Sequence, residues 1–132
     1  MIVVDTAVWA DWFNGTPSAE GERLAGALDR HEAGLVPLIL TEVLQGFRQD
    51  RDFERARRLL VQLPVLALDV EGHASAAALF RRLRRLGVTV RGTVDCVIAH
   101  TCIEADVELL STDQDFVAIA HHTALRLCAA AR

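Results

Sequence analysis

The sequence predicts a three-layer α/β/α fold around a central, mostly parallel sheet of four to five strands. Three observations carry that expectation. Short β-branched or leucine-rich runs alternate with longer amphipathic stretches, the pattern of units whose helical crossovers cover both faces of a parallel sheet. The strand candidates are continuously apolar, as strands buried on both faces are. The 132 residues hold no linker, repeat or low-complexity tract. They fit one domain, residues 1–132, since chains usually divide only beyond about 250 residues.

Taken in order, Ile2-Val3-Val4 is a first buried strand ending at Asp5. Residues 6–13 read as a short helix, broken at Gly15-Thr16-Pro17. Thr16 reads as the next N-cap with Pro17 in the first helical position, and that helix runs to about Arg30 with Leu24 and Leu28 facing inward. Gly34-Leu35-Val36 is a second strand candidate. A helical pattern from Leu38 to about Gln49 ends near Gly46-Phe47, another spans roughly Phe53 to Gln62, and Val65-Leu66-Ala67-Leu68 is a third strand candidate. Residues 71–86 give the clearest amphipathic helix: Ala76, Leu79, Phe80, Leu83 and Leu86 share one face, and Arg81, Arg82, Arg84 and Arg85 take the other. Gly87 is a natural stop after it. A helix around Asp95–Glu104, a fourth strand at Glu108–Ser111, a turn or helix after Asp115 and a last strand at Ala124–Leu127 complete the pattern.

Composition excludes several chemistries. All 14 basic residues are Arg, so no lysine can grip a P-loop phosphate, form a Schiff base or clamp a receiver-type phosphate. Tyr is absent as well, which removes a tyrosine nucleophile. The net charge of −4 argues against a general basic coat for nucleic acid but leaves room for a local basic face. Cys96, Cys102 and Cys128 are odd in number and form no CxxC pair. With no signal-peptide pattern at Met1-Ile2-Val3-Val4, reduced thiols in a cytoplasm are expected. The apolar runs fall far short of the roughly 20 residues that span a bilayer, so no membrane association is expected.

In an open parallel sheet the ligand crevice lies beyond the carboxyl ends of the strands. Asp5 directly follows the first strand and Asp113 follows the fourth, so these two carboxylates are expected at one edge. Asp95 starts a helix in Thr93-Val94-Asp95-Cys96-Val97-Ile98-Ala99, and Asp115 lies two residues beyond Asp113. Glu42 is the lone charge in Leu38-Ile39-Leu40-Thr41-Glu42-Val43-Leu44. Taken singly, each has an ordinary structural role open to it. Asp5 and Asp95 are suited to N-capping, Asp113 and Asp115 to turns or caps, and Glu42 to a solvated helix position. An isolated charge on an apolar helix face is nevertheless costly unless something pairs with it. Together the acids would repel one another, and without lysine the economical counter-charge is a divalent metal. Mg²⁺ takes oxygen ligands, commonly carboxylates and waters, and its usual further partners are phosphate oxygens. The chemistry this suggests is metal-assisted hydrolysis of a phosphodiester.

Four segments, in order, resemble the PIN domain and specifically the VapC toxins of bacterial toxin–antitoxin pairs. They are Ile2-Val3-Val4-Asp5-Thr6-Ala7-Val8-Trp9, Thr41-Glu42-Val43-Leu44-Gln45-Gly46, Thr93-Val94-Asp95-Cys96-Val97-Ile98-Ala99 and Leu110-Ser111-Thr112-Asp113-Gln114-Asp115-Phe116. The resemblance implies a Mg²⁺- or Mn²⁺-dependent endoribonuclease that cuts RNA, works as a homodimer and is inhibited by a cognate VapB-type antitoxin. By position it makes Asp5 and Asp95 the principal metal ligands, with Glu42 and Asp113 completing the pocket and orienting the attacking water. Asp115 is the second acid of the Asp-x-Asp-Phe segment and a further metal ligand. Thr6 is suited to a ligand, a water or a cap.

Arg91, in the loop just before Asp95, is placed to hold an RNA phosphate. The five arginines between Arg48 and Arg58, and the five between Arg81 and Arg91, read either as solvated helix faces or as basic surface flanking the pocket for RNA or an acidic antitoxin segment. Trp9, Trp12 and Phe13 are expected to pack in the core or on a partner, and His121-His122 on a surface turn. His100, four residues after Cys96, lacks the further nitrogen or sulfur ligands that zinc requires. Two competing functions differ in testable ways. A catalytically inactive PIN domain serving as an RNA- or protein-binding module would bind without turnover. A phosphatase with a nucleophilic Asp after the first strand would need a second Asp where Ala7 stands.

Overall fold

The computed structural model describes residues 1–130. Its sheet has three parallel strands, β1 (Ile2–Val4), β2 (Ala33–Gly34) and β3 (Glu108–Leu110), in the order β2-β1-β3. Val3 pairs with Gly34 on one side and with Leu109 on the other. All three residues of β1 are buried, which accounts for their unbroken apolar character.

The expected four to five strands reduce to three. Val65 and Leu127 each make only an isolated parallel bridge, to Leu35 and Leu109 respectively. The reason on the Val65 side is local. Pro37 opens the next helix two residues after Leu35, with Val36 as its N-cap, so pairing stops once the Leu66 N–H has bonded the Leu35 carbonyl, and nothing extended remains for residues 67–68. On the other side β3 is itself only three residues long, and Asp106 just before it turns left-handed at φ 54° to end a helix.

Seven helices connect and cover the sheet among the described residues: α1 (Thr6–Phe13), α2 (Ala19–Asp29), α3 (Pro37–Gln45), α4 (Asp50–Leu60), α5 (Val70–Arg85), α6 (Thr93–Ala105) and α7 (Gln114–His122). Helix packing falls into two groups. α1 contacts α2 and α3, and α3 contacts α4; separately, α5 contacts α6 and α6 contacts α7. Trp9, Leu24, Ile39, Leu60, Leu83, Ile98, Phe116 and Ile119 are fully buried around the sheet. No helix among the described residues is long and apolar enough to cross a membrane.

Several local expectations shift. The second strand sits one residue earlier than Gly34-Leu35-Val36. Ser18, not Thr16, caps α2: its hydroxyl accepts from the Gly21 N–H at 2.9 Å, so Pro17 lies ahead of the helix. His121 and His122 form the last turn of α7. On α5, Ala76, Leu79 and Leu83 are buried, whereas Leu86 is exposed. Gly87 stops that helix at φ +79°, a conformation that costs glycine little.

Candidate active site

The carboxyl edge of the sheet collects the acids because three chain reversals occur there. After Val4 the Asp5 N–H still joins the ladder, donating to the Leu110 carbonyl at 2.9 Å. The chain then turns into α1, and Asp5 is its N-cap, Oδ1 accepting from the Thr6 N–H at 2.8 Å. Oδ2 accepts from the Ser111 hydroxyl at 2.8 Å. Asp5 is therefore held from the start of α1 and the end of β3, and only 8% of it is exposed.

Ser111 does a second job. Its Oγ accepts from the Asp113 N–H at 3.0 Å, which fixes the turn leaving β3. Asp113 then caps α7, with Oδ1 accepting from the Asp115 N–H at 2.9 Å. Sequence reading gave Ser111 no role. The available signal was a hydroxyl two residues before an acid at a strand end, a spacing suited to a side-chain-to-backbone turn.

Glu42 is brought in from α3. The Thr6 hydroxyl donates to its Oε1 at 2.9 Å, so Thr6 bridges Asp5 and Glu42. Glu42 adjoins the buried Ile39 and Val43 on that helix, and this bond gives its charge the partner that an apolar segment demands. Asp95 lies in the first turn of α6, whose N-cap is Gly92 and lacks a side-chain bond. Asp95 thus caps nothing. Capping holds for Asp5 and Asp113 and fails for Asp95.

Asp95, Asp113 and Asp115 are all half-buried, and each offers one oxygen such that the three lie within 4.8 Å of one another. The donor set is purely oxygen, which fits a hard dication. Asp5 and Glu42 are not part of that trio, although Asp5 interacts electrostatically with Asp95, Asp113 and Glu42. Burial pushes the Asp95 carboxyl up to about 6, reinforced by the charges of Asp113, Asp115 and Asp5. Burial also raises Asp5, against the hydrogen bonds from Ser111 and Thr6, and with Asp113 and Glu42 adding repulsion. Asp115 goes the other way because Arg91 bonds to it.

Arg91 donates from Nη2 to Asp113 Oδ1 and from Nε to Asp115 Oδ2, each at 3.0 Å. Its guanidinium rests on two acids. Cys102 lies near enough to feel Asp5, and burial first of all pushes its thiol up to about 12. Cys96 and Cys102 are buried free thiols that behave as small core side chains. His100 lies 3.9 Å from Glu104 and belongs to no metal-like cluster among the described residues.

Residues 2–122 match the PIN domain family. The chain belongs to the PIN-domain family. Within it, the chain is 33% identical over 129 residues to ribonuclease VapC11 of Mycobacterium tuberculosis, covering 96% of each chain. A VapC ribonuclease of Mycobacterium bovis matches to the same extent. Among solved structures, this PIN-domain chain is similar to VapBC2 from Rickettsia felis, crystallised with a DNA fragment from its promoter. That likeness has a TM-score of 0.77 and 17% identity, covering 97% of this chain and 98% of the other. FitAcB from Neisseria gonorrhoeae follows at a TM-score of 0.73 and 15% identity, with 98% of both chains covered. At such identities the two likenesses speak to the fold. VapC relatives that cover nearly the whole chain place it in the branch of the family to which the four sequence segments point.

Proposed function

We propose that this protein is a metal-dependent endoribonuclease toxin that hydrolyses RNA phosphodiester bonds, with Mg²⁺ as its ion and Mn²⁺ as a substitute. One observation carries the reading: three carboxylates within 4.8 Å of one another stand beside a buried Asp5 whose carboxylate accepts from the Thr6 N–H and the Ser111 hydroxyl. An all-oxygen cluster at the carboxyl edge of a parallel sheet suits a hard cation and a phosphate substrate. The VapC ribonuclease relatives, alike along 96% of the chain, support the same reaction class.

Asp95, Asp113 and Asp115 supply ligand oxygens, and Asp5 joins them from the buried side. The bound ion would acidify a water and stabilise the charge developing on the phosphate. Glu42, oriented by Thr6, and Asp113, fixed by Ser111, position the attacking water and accept its proton. Asp95, raised to about 6 by burial and the neighbouring acids, is mostly ionised at neutral pH, where a bound cation would relieve the cost of its charge. The proposed partners are RNA and a cognate VapB-type antitoxin, the protein acting as a homodimer in the cytoplasm. The antitoxin rests on the likeness to the VapBC2 complex and the VapC relatives.

The test is cleavage of a mixed RNA pool by purified protein with Mg²⁺, with excess EDTA and after readdition. Asp5→Asn and Asp95→Asn are compared in parallel, with folding checked by circular dichroism. Cleavage that persists in EDTA, or survives both substitutions at wild-type rate, would defeat the proposal.

A further inference from the structure

Arg91 lies in the loop between α5 and α6, and its side chain is 74% exposed. Its side-chain hydrogen bonds run to Asp113 Oδ1 and Asp115 Oδ2. Those two acids are also two of the three whose oxygens converge within 4.8 Å. The pocket carries five formal negative charges on Asp5, Glu42, Asp95, Asp113 and Asp115. Among the described residues, Arg91 is the only basic side chain that forms an ion pair with any of them. The chain holds no lysine that could substitute for it.

We propose that Arg91 is the pocket's own counter-ion and competes with the dication for the Asp113–Asp115 pair. The inference rests on the metal-site reading above and goes further, assigning the neighbouring arginine a definite effect on that site. A planar fork spanning two carboxylates takes one oxygen from each. A cation of radius suited to oxygen ligands needs the same lone pairs and the same negative potential, so each occupant weakens the other. Exposure makes the exchange inexpensive, because water replaces the bonds that Arg91 gives up. Once off the acids, the fork stands at the mouth of the pocket, free for a phosphate oxygen. The same residue would then temper metal affinity and serve the RNA backbone.

The competition is measured without turnover, by titrating Mn²⁺ into protein free of RNA and counting unbound ion from its electron paramagnetic resonance signal. Arg91→Gln removes the competitor, and its high exposure leaves the core untouched. Arg91→Lys keeps the charge and loses the fork. Arg84→Gln, on α5 with its guanidinium 5.7 Å from the Phe80 ring centre, controls for net charge. The expected result is at least tenfold tighter Mn²⁺ binding by Arg91→Gln, an intermediate gain for Arg91→Lys and less than a twofold change for Arg84→Gln. Unchanged or weaker binding by Arg91→Gln overturns the competition while leaving the metal site standing, since Arg91 would then be holding the acids in ligating positions. An equal gain for Arg84→Gln also overturns it, by reducing the effect to net charge. If wild type and Arg91→Gln both bind no Mn²⁺ yet cleave RNA, the competition and the metal-site reading fall together.

Discussion

Replacing Asp95 by Asn should stabilise the EDTA-treated protein at neutral pH, although it removes a residue from the site. Burial and neighbouring acids raise the Asp95 carboxyl from 3.8 to about 6. A shift of two units corresponds to about 3 kcal/mol. Asp95 is only half-buried, so solvent screening reduces the usable effect to about 1–2 kcal/mol. The sign follows from proton binding. Below pH 3.8 the carboxyl is protonated in the folded and unfolded chain alike and contributes nothing. Between 3.8 and about 6 the unfolded chain has released a proton that the folded chain keeps, so stability falls as pH rises. Above about 6 the full penalty is present, and Asn escapes it.

The assay is a thermal melt in EDTA at several pH values. Asp95→Asn and wild type should melt together near pH 3.5, diverge between pH 4 and 6, and differ by about 3–6 °C at pH 7.5. Saturating Mg²⁺ should reverse the order, because the wild type gains by mass action what the variant cannot bind. An Asp95→Asn protein that melts at or below the wild-type temperature in EDTA at pH 7.5 would refute the reasoning. It would mean that the charge is compensated within the fold and that no electrostatic debt awaits a cation.

Three further outcomes are expected. RNA cleavage should show an acid limb near pH 6 that moves to lower pH as Mg²⁺ is raised, since ion and proton compete for Asp95; a limb indifferent to Mg²⁺ would contradict this. Ser111→Ala removes a donor to the buried Asp5 carboxylate and an acceptor for the Asp113 N–H, so it should cost about 1–3 kcal/mol in urea unfolding at pH 7.5. An unchanged midpoint would show that water replaces the hydroxyl. Gly87→Ala meets no atom within 4 Å but places a side chain at φ +79°, so it should lose about 1 kcal/mol of stability with wild-type cleavage.

What the sequence made legible was the part fixed by local rules. Ile2-Val3-Val4 is apolar because both faces are covered, and an acid directly after it must appear at the carboxyl edge. The amphipathic period of α5 and the left-handed stop at Gly87 follow from spacing alone. The edge segments do not extend the sheet although they are apolar: Val65 is 58% exposed, and Leu66 packs on the core beside the isolated Leu35–Val65 bridge. Pairing there depends on how soon Pro37 diverts the neighbouring chain, which the composition of residues 65–68 does not encode. The Thr16-Pro17 start of α2 was a plausible cap that lost to Ser18, two residues on, because both offer a hydroxyl. Of the five acids singled out by type and position, the fold brings oxygens of Asp95, Asp113 and Asp115 within 4.8 Å of one another. Arg91's partners were not legible, because they depend on the path of the loop after Gly87.

The acids differ in how the fold holds them, and that difference orders their dependence on a cation. Asp5 and Asp113 each cap a helix and accept backbone N–H groups, so part of their charge is stabilised by the bonds that build the turns. Asp115 leans on Arg91, and Glu42 on the Thr6 hydroxyl. Asp95 caps nothing and forms no ion pair with an arginine among the described residues, so nothing offsets the burial and the charges of Asp113, Asp115 and Asp5 that raise it to about 6. Asp5 is raised as well, but its carboxylate keeps two hydrogen bonds, so Asp95 is the acid with least relief inside the fold. A dication entering the pocket would gain most from Asp95 and would have to displace a cation only at Asp113 and Asp115. Metal affinity in this protein should therefore respond in opposite directions to substitutions at Asp95 and Arg91, although both residues flank the same α6 N-terminus.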